Sequence, residues 1–200
     1  MDRMLYLAMN GAKHLLLQQA STAHNLANVS TPGFRAELNA FRALPVVGGG
    51  MPTRTFVVDS TTGSDFTPGA MQYTGRALDV AVRDKGFFAV QTPTGEAYTR
   101  SGGFDIDANG LLKTRNGLVV VGEGGPITVP TDGQIIVAED GTISSMPNGE
   151  TKGATEIGKL KLVNPPEKDL VRGADGLFRQ SNNQPAAADP QVQIFAGTLE

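Results

Sequence analysis

The feature that most constrains this fold is the uneven distribution of chain breakers. Residues 2–29 contain no proline and a single glycine, Gly11, although the 200-residue chain carries 25 Gly and 12 Pro. Apolar-type seam positions recur there at spacings of three and four: Leu5, Ala8, Ala12, Leu15, Gln19, Thr22, Leu26 and Val29. That spacing predicts one long helix, Asp2 to Val29, with a heptad-like seam along one side. At 1.5 Å per residue such a helix is roughly 40 Å long. Its end is marked by Pro32, which has no N–H and disfavours α geometry at Thr31, and by Gly33, which accepts positive φ. Half of the seam is Ala8, Ala12, Gln19 and Thr22. The helix therefore buries little by itself and is expected to fray unless other helices cover it.

Beyond Pro32 the texture changes. Residues 34–76 read as an irregular connector. It is broken at Gly48-Gly49-Gly50 and Met51-Pro52, holds one candidate strand over Thr53–Val58, and runs into a turn-rich polar stretch from Ser60 to Gly69. Residues 77–195 read as strand after strand. Leu78–Val82, Gln134–Ala138 and Lys159–Val163 alternate apolar with polar or small residues, Phe88-Ala89-Val90 continues the pattern, and Leu118–Val121 is a short apolar run. Turn signals fall at Pro93-Thr94-Gly95, Ala108-Asn109-Gly110 and Gly122–Pro126. The expected fold is mainly β: an antiparallel β-domain of short strands with a long N-terminal helix. No helical pattern alternates with the strands, which argues against a parallel α/β sheet.

Composition removes several classes of function. Cysteine is absent, so thiol catalysis, disulfides and thiolate metal sites are excluded. The net charge of −3 gives none of the basic footprint of a duplex-binding protein. Arg3 and Lys13 are the only cations before Arg35, and Trp is absent, unlike a helix built for a membrane surface. The apolar stretch Met4–Met9 is too short for a secretory leader, and no run approaches a membrane span.

Candidate chemical sites are weak. Asp105-Ile106-Asp107-Ala108-Asn109-Gly110 matches the first half of a calcium loop, but Asn116 stands where the bidentate Glu is needed. A β-turn around Asn109-Gly110 explains the same residues. Gly122-Glu123-Gly124-Gly125-Pro126 lacks the Lys-Ser/Thr and helix start of a phosphate cradle. His14 and His24 are too far apart along one helix to share a metal. Ser21 and Thr22 lie near His24 without a third group to orient them. Asn28-Val29-Ser30 is a formal sequon at a helix end. Asp79, Asp84, Glu96 and Asp105 could serve a glycan hydrolase by number, but their spacing matches solvated strand and turn residues.

One segment carries more information. His24-Asn25-Leu26-Ala27-Asn28-Val29-Ser30-Thr31-Pro32-Gly33-Phe34-Arg35 resembles the N-terminal signature of the bacterial flagellar rod and hook family. The central β-domain motif of that family is resembled by Arg76–Val82, Gly86–Gln91 and Tyr98–Phe104, and also by Asn109–Leu112 and Gly125–Pro130. Met1-Asp2-Arg3, Tyr6, Ala8-Met9, Gly11-Ala12 and Pro52-Thr53-Arg54-Thr55 are most like the family's proximal-rod members. Gly197-Thr198-Leu199-Glu200 is similar to the start of the family's C-terminal segment, which leads into a helix that pairs with the N-terminal one.

The resemblance implies four parts: an N-terminal helical segment 1–33, a connector 34–76, a central β-domain 77–195, and residues 196–200 as the start of a truncated C-terminal segment. It implies a structural subunit of the flagellar basal-body proximal rod that transmits torque. The alternatives are a distal-rod or hook subunit of the same family and, remotely, a cell-wall glycan hydrolase. Implied partners are other rod proteins, copies of itself and the flagellar type III export apparatus. No cofactor, metal, nucleic acid or small-molecule substrate is implied, and export proceeds without a cleaved signal peptide. The residues implied in assembly are Leu5, Ala8, Ala12, Leu15, Gln19, Thr22, Leu26, Asn28, Val29, Pro32, Gly33 and Phe34.

Overall fold

A computed structural model describes residues 2–47, 54–130, 133–147 and 153–200. The chain separates into two units, residues 1–31 with 35–66, and residues 32–34 with 67–200. The expected break at Gly48–Gly50 and Met51-Pro52 lies outside the described residues.

The first unit is one helix and one hairpin. Helix α1 spans Asp2–Ala27, strand β1 Glu37–Pro45 and strand β2 Thr55–Ser64. The strands pair antiparallel from Glu37 opposite Ser64 to Pro45 opposite Thr55, with a bulge between Ala40 and Phe41. This hairpin replaces most of the irregular connector expected over 34–76. Its first strand, Glu-Leu-Asn-Ala-Phe-Arg-Ala-Leu, is rich in helix formers and has polar residues on both faces. Neither propensity nor period marks it as a strand, and pairing with β2 decides its state.

The second unit is all strands and turns among the described residues, apart from one 3₁₀ turn at Glu167–Asp169. In chain order its strands are β3 (Gln72–Tyr73), β4 (Val80–Val82), β5 (Phe87–Thr92), β6 (Gly95–Thr99), β7 (Phe104–Ile106), β8 (Leu112–Thr114) and β9 (Val119–Gly122). There follow β10 (Gly125–Pro126), β11 (Gln134–Val137), β12 (Thr142–Met146), β13 (Thr155–Lys159) and β14 (Leu162–Val163). The last are β15 (Leu170–Arg172), β16 (Phe178–Gln180), β17 (Ile194–Ala196) and β18 (Thr198–Leu199). The main sheet runs β15-β16-β6-β5-β9-β8-β7, with β10 on β9 and β14 on β5. A three-stranded sheet β11-β12-β13 and the pairs β17-β4 and β18-β3 complete it. The fold is mainly β with antiparallel pairing of short strands, as the sequence predicts.

The core gathers Val80, Val82, Phe88, Phe104, Leu112, Val120, Ile143, Leu160 and Ile194. Phe88 and Phe104 meet edge to face at 5.2 Å. Leu160 and Leu162 point inward and Lys159 and Lys161 less so, which matches the alternation read from the sequence. In β4 and β5 the alternation does not separate a wet face from a dry one. Val80, Ala81 and Val82 are all fully buried, as are Phe88, Ala89 and Val90. These strands are covered on both faces, so small and apolar residues occupy both.

Candidate assembly interface

The helix end comes first. Asn28 closes α1 by donating its side-chain amide to the His24 carbonyl at 3.0 Å. Its own side-chain oxygen accepts from the Thr31 hydroxyl at 3.3 Å, and its carbonyl takes the Thr31 N–H at 2.9 Å. The helix therefore stops at Ala27, two residues before the expected Val29. A residue whose side chain competes for backbone groups ends helices in this way.

One face of α1 rests on its own hairpin, largely through amides. Asn25 clamps β1 by donating to the Glu37 carbonyl at 3.0 Å and accepting the Glu37 N–H at 2.9 Å. Asn10 accepts the Val57 N–H of β2 at 3.0 Å. The His14 ring meets Phe41 edge-on at 5.5 Å, and His24 Nδ1 lies 3.7 Å from the Glu37 carboxylate. The half-buried residues of the helix, Leu7, Asn10, Gly11, His14, Ser21 and Asn25, and the closing Asn28 trace this face.

The predicted seam lies on a different face. The helical seam positions Ala8, Ala12, Leu15, Thr22 and Leu26 each follow a hairpin-facing residue by one place, and so are turned about 100° around the helix; Val29 lies past the helix end. Leu5 and Leu15 are each 67% exposed, Leu26 72% and Val29 77%. Ala8, Ala12, Gln19 and Thr22 are exposed as well. The Thr22 hydroxyl is satisfied within the helix, donating to the Gln18 carbonyl at 2.9 Å. Met4, Met9 and Leu16 extend the same exposed apolar surface. An exposed apolar stripe of this kind is a candidate interaction surface.

Pro32, Gly33 and Phe34 are not part of that stripe. They belong to the β-domain unit rather than to the helical segment in which the sequence placed Pro32 and Gly33. Gly33 has φ +70°, and a Cβ there would lie 2.3 Å from the backbone of Arg100 and Ser101. The Phe34 ring stacks under the Arg172 guanidinium at 4.8 Å.

The remaining candidate chemistry is already engaged in structure. Asp107 pairs with Lys113 at 2.6 Å and accepts the N–H groups of Asn109 and Leu111, each at 2.9 Å. Lys113 and then the Leu111 N–H hold its carboxyl below the usual range. Asp105 pairs with Arg76 at 2.9 Å. The loop is a turn, with the Gly110 N–H on the Asp107 carbonyl and φ +79° at Gly110. Gly122–Pro126 is the β9–β10 hairpin turn.

Two carboxylates read as solvated are not. Asp79 is only 3% exposed and holds Arg76 at 3.2 Å and Arg115 at 3.1 Å. Glu96 pairs with Lys161 at 2.8 Å with both side chains mostly covered. Tyr98 beside it accepts the Ala186 N–H at 2.6 Å; burial pushes its phenol up to about 12, with Glu96 adding to the rise. Spacing could not reveal the Asp79–Arg115 and Glu96–Lys161 pairs, whose members are 36 and 65 residues apart.

The two stretches that organise this geometry have counterparts in known proteins. Residues 5–35 match a family model described as flagella basal body rod protein. Residues 81–145 match one described as flagellar hook protein FlgE/F/G D1 domain. The flagellar basal-body rod protein FlgF of Escherichia coli (strain K12) is 49% identical across 208 aligned residues, which span 100% of this chain and 82% of that protein. The chain belongs to the flagellar basal-body rod family.

The rod protein FlgF of Salmonella typhimurium is 48% identical with the same coverage. The rod protein FlgG of Bacillus subtilis (strain 168) is more distant, 32% identical over 99% of this chain and 81% of its own length. As a family member this chain is a structural subunit of the flagellar basal-body rod. The first matched stretch is α1 with its closing turn, and the second covers most of the main sheet.

Proposed function

We propose that this rod-family chain is a proximal-rod subunit that packs through the seam of α1 against neighbouring rod proteins and copies of itself, and so passes torque along the rod. The observation that carries the reading is the division of labour on α1. One face is spent on the chain's own hairpin, while Leu5, Leu15, Leu26 and Val29 stand exposed on another. A heterologous contact made by such a seam builds an open helical assembly when its rotation does not close. The reading is of a structural rather than an enzymatic role: Asp79, Asp105 and Glu96, three of the four carboxylates considered for hydrolysis, are tied to Arg76, Arg115 and Lys161. Its place is the periplasmic rod, reached through the flagellar type III export apparatus without a cleaved signal. The 49% identity to FlgF against 32% to FlgG favours the proximal over the distal rod.

The test is soft-agar swarming of Leu15→Asp and Leu26→Asp in a strain lacking this protein, with export checked by blotting. A carboxylate forced into a covered apolar contact costs several kcal/mol per subunit, on the order of 3–5. Both variants should be exported, fold their β-domain and fail to swarm. Normal swarming by both would refute the seam as the assembly surface.

A further inference from the structure

Sulfur in this chain is confined to thioethers. There are six Met and no Cys, so no thiol competes for an oxidant. Met1 and Met51 lie outside the described residues. The other four differ in exposure. Met4 is 62% exposed and Met9 61%, both on α1. Met71, just before β3, is 36% exposed, and Met146, at the end of β12, is half-buried.

Where the two helical sulfurs stand matters as much as their exposure. Met9 is two residues from both Leu7 and Gly11, which puts it roughly 160° round the helix from these hairpin-facing residues. It follows Leu5 by four places and precedes Leu16 by seven, so the three line one exposed apolar strip. Met4 precedes Ala8 by four places and so adjoins the seam. The contacts that hold α1 to its own hairpin come from Asn10, His14 and Asn25 instead. A chemical change at Met9 therefore alters the outward face of the helix and spares the inward one. A thioether is apolar and flexible, and suits a covered contact. A sulfoxide is polar, and its oxygen loses its hydrogen bonds to water if it is buried without a partner.

We propose that Met4 and Met9 form a reversible oxidation site, with hypochlorous acid as the oxidant, and that its oxidation withdraws the chain from assembly without unfolding it. In this step the sulfur takes the oxygen of the acid, the O–Cl bond breaks, and chloride and a proton leave. Sulfur gives up two electrons and chlorine gains two. The reverse step needs a dithiol, which leaves as a disulfide while the oxygen leaves as water. The gate on assembly rests on the seam reading of α1, whereas the chemistry is a property of the isolated chain.

The purified full chain is titrated with hypochlorous acid and digested with trypsin. Cuts after Arg3 and Lys13 place both helical sulfurs in one peptide, residues 4–13, which fragmentation resolves. Each oxidised sulfur adds about 16 Da, and Met4 and Met9 should convert at least about fivefold faster than Met146. The melting temperature should stay within about 2 °C of the parent's. Methionine sulfoxide reductases A and B with a dithiol should restore the original mass. In a strain lacking this protein, Met4→Gln with Met9→Gln supplies polar side chains of similar length, and Met4→Leu with Met9→Leu supplies apolar ones. At equal export the glutamine pair should swarm to at most about half the diameter of the leucine pair. Equal conversion of Met9 and Met146 overturns the site. Equal swarming by the two pairs, beside a non-swarming Leu15→Asp, overturns the gate and leaves the seam standing. Normal swarming by Leu15→Asp removes the seam and the gate with it.

Discussion

The same chemical change, glycine to alanine, should act in opposite directions at two points of the N-terminal region. At Gly33 the backbone sits at φ +70°, and an added Cβ would lie 2.3 Å from Arg100 C and Ser101 N. Left-handed geometry costs a residue with a Cβ roughly 1–2 kcal/mol. Forcing a methyl group against backbone that cannot swing aside adds about 1–3 kcal/mol. Any shift that relieves the clash stretches the bond from the Gly33 N–H to the Glu200 carbonyl, a further loss of about 1 kcal/mol. Gly33→Ala should therefore destabilise the chain by about 3–6 kcal/mol and lower its melting temperature by roughly 10 °C or more. At Gly11 the site is mid-helix and the added Cβ meets nothing within 4 Å. There alanine is favoured over glycine by about 0.5–1 kcal/mol, so Gly11→Ala should strengthen helical circular dichroism. Calorimetry and far-ultraviolet dichroism on the two variants and the parent read both effects. A Gly33→Ala protein melting within about 2 °C of the parent would show that the close approach carries no energy and sink the reasoning.

Three further outcomes are expected. Asn25→Ala removes both bonds that hold α1 to Glu37, worth about 1–2 kcal/mol together; amide exchange at Glu37 should speed up roughly tenfold, and unchanged exchange would mean the clamp is not closed in solution. Asp79→Asn and Glu96→Gln should each lower urea-measured stability by more than about 1 kcal/mol, because each breaks a covered ion pair; losses under about 0.5 kcal/mol would return both residues to the solvated surface. The carboxyls of Asp107 and Asp175 are held low by Lys113 and Arg179 respectively. Depressed values mean that their contribution is present above the ordinary carboxylate pKa, about 4, and is lost as pH falls through the lowered folded values. Urea midpoints should therefore drop below about pH 4, and Asp107→Asn should flatten that drop; an equally steep acid loss in the variant would remove Asp107 from the account.

Much of the candidate interface is legible in the sequence. A seam of Leu5, Leu15 and Leu26 with Ala8, Ala12, Gln19 and Thr22 between them follows from helical periodicity alone, and the structure leaves it exposed. What periodicity cannot show is which side of α1 the chain keeps for itself. Asn10 and Asn25 make that choice with side-chain amides that bond strand backbone, and amides carry no hydropathy signal. The hairpin is hidden for a related reason, since Glu37–Leu44 has the composition of a helix. Asp79 reads as solvated because a buried carboxylate and an exposed one look alike in sequence; Arg76 and Arg115 close on it only in three dimensions.

By itself the sequence determined the elements whose causes are local. The breaker-free stretch must start as one long helix, that helix must be over before Pro32-Gly33, and Asn109-Gly110 must turn. Runs of alternating or continuous β-branched and aromatic residues must pair as strands. These outcomes depend on steric and hydrogen-bonding constraints within a few residues. Only the tertiary structure decided the arrangements whose partners are remote in sequence: β1 on β2, Asp79 with Arg115, and above all Gly33, Gly69, Arg100 and Glu200 at one buried point. There the energy comes from desolvated charges and close backbone approach, which exist only once segments a hundred residues apart have been brought together.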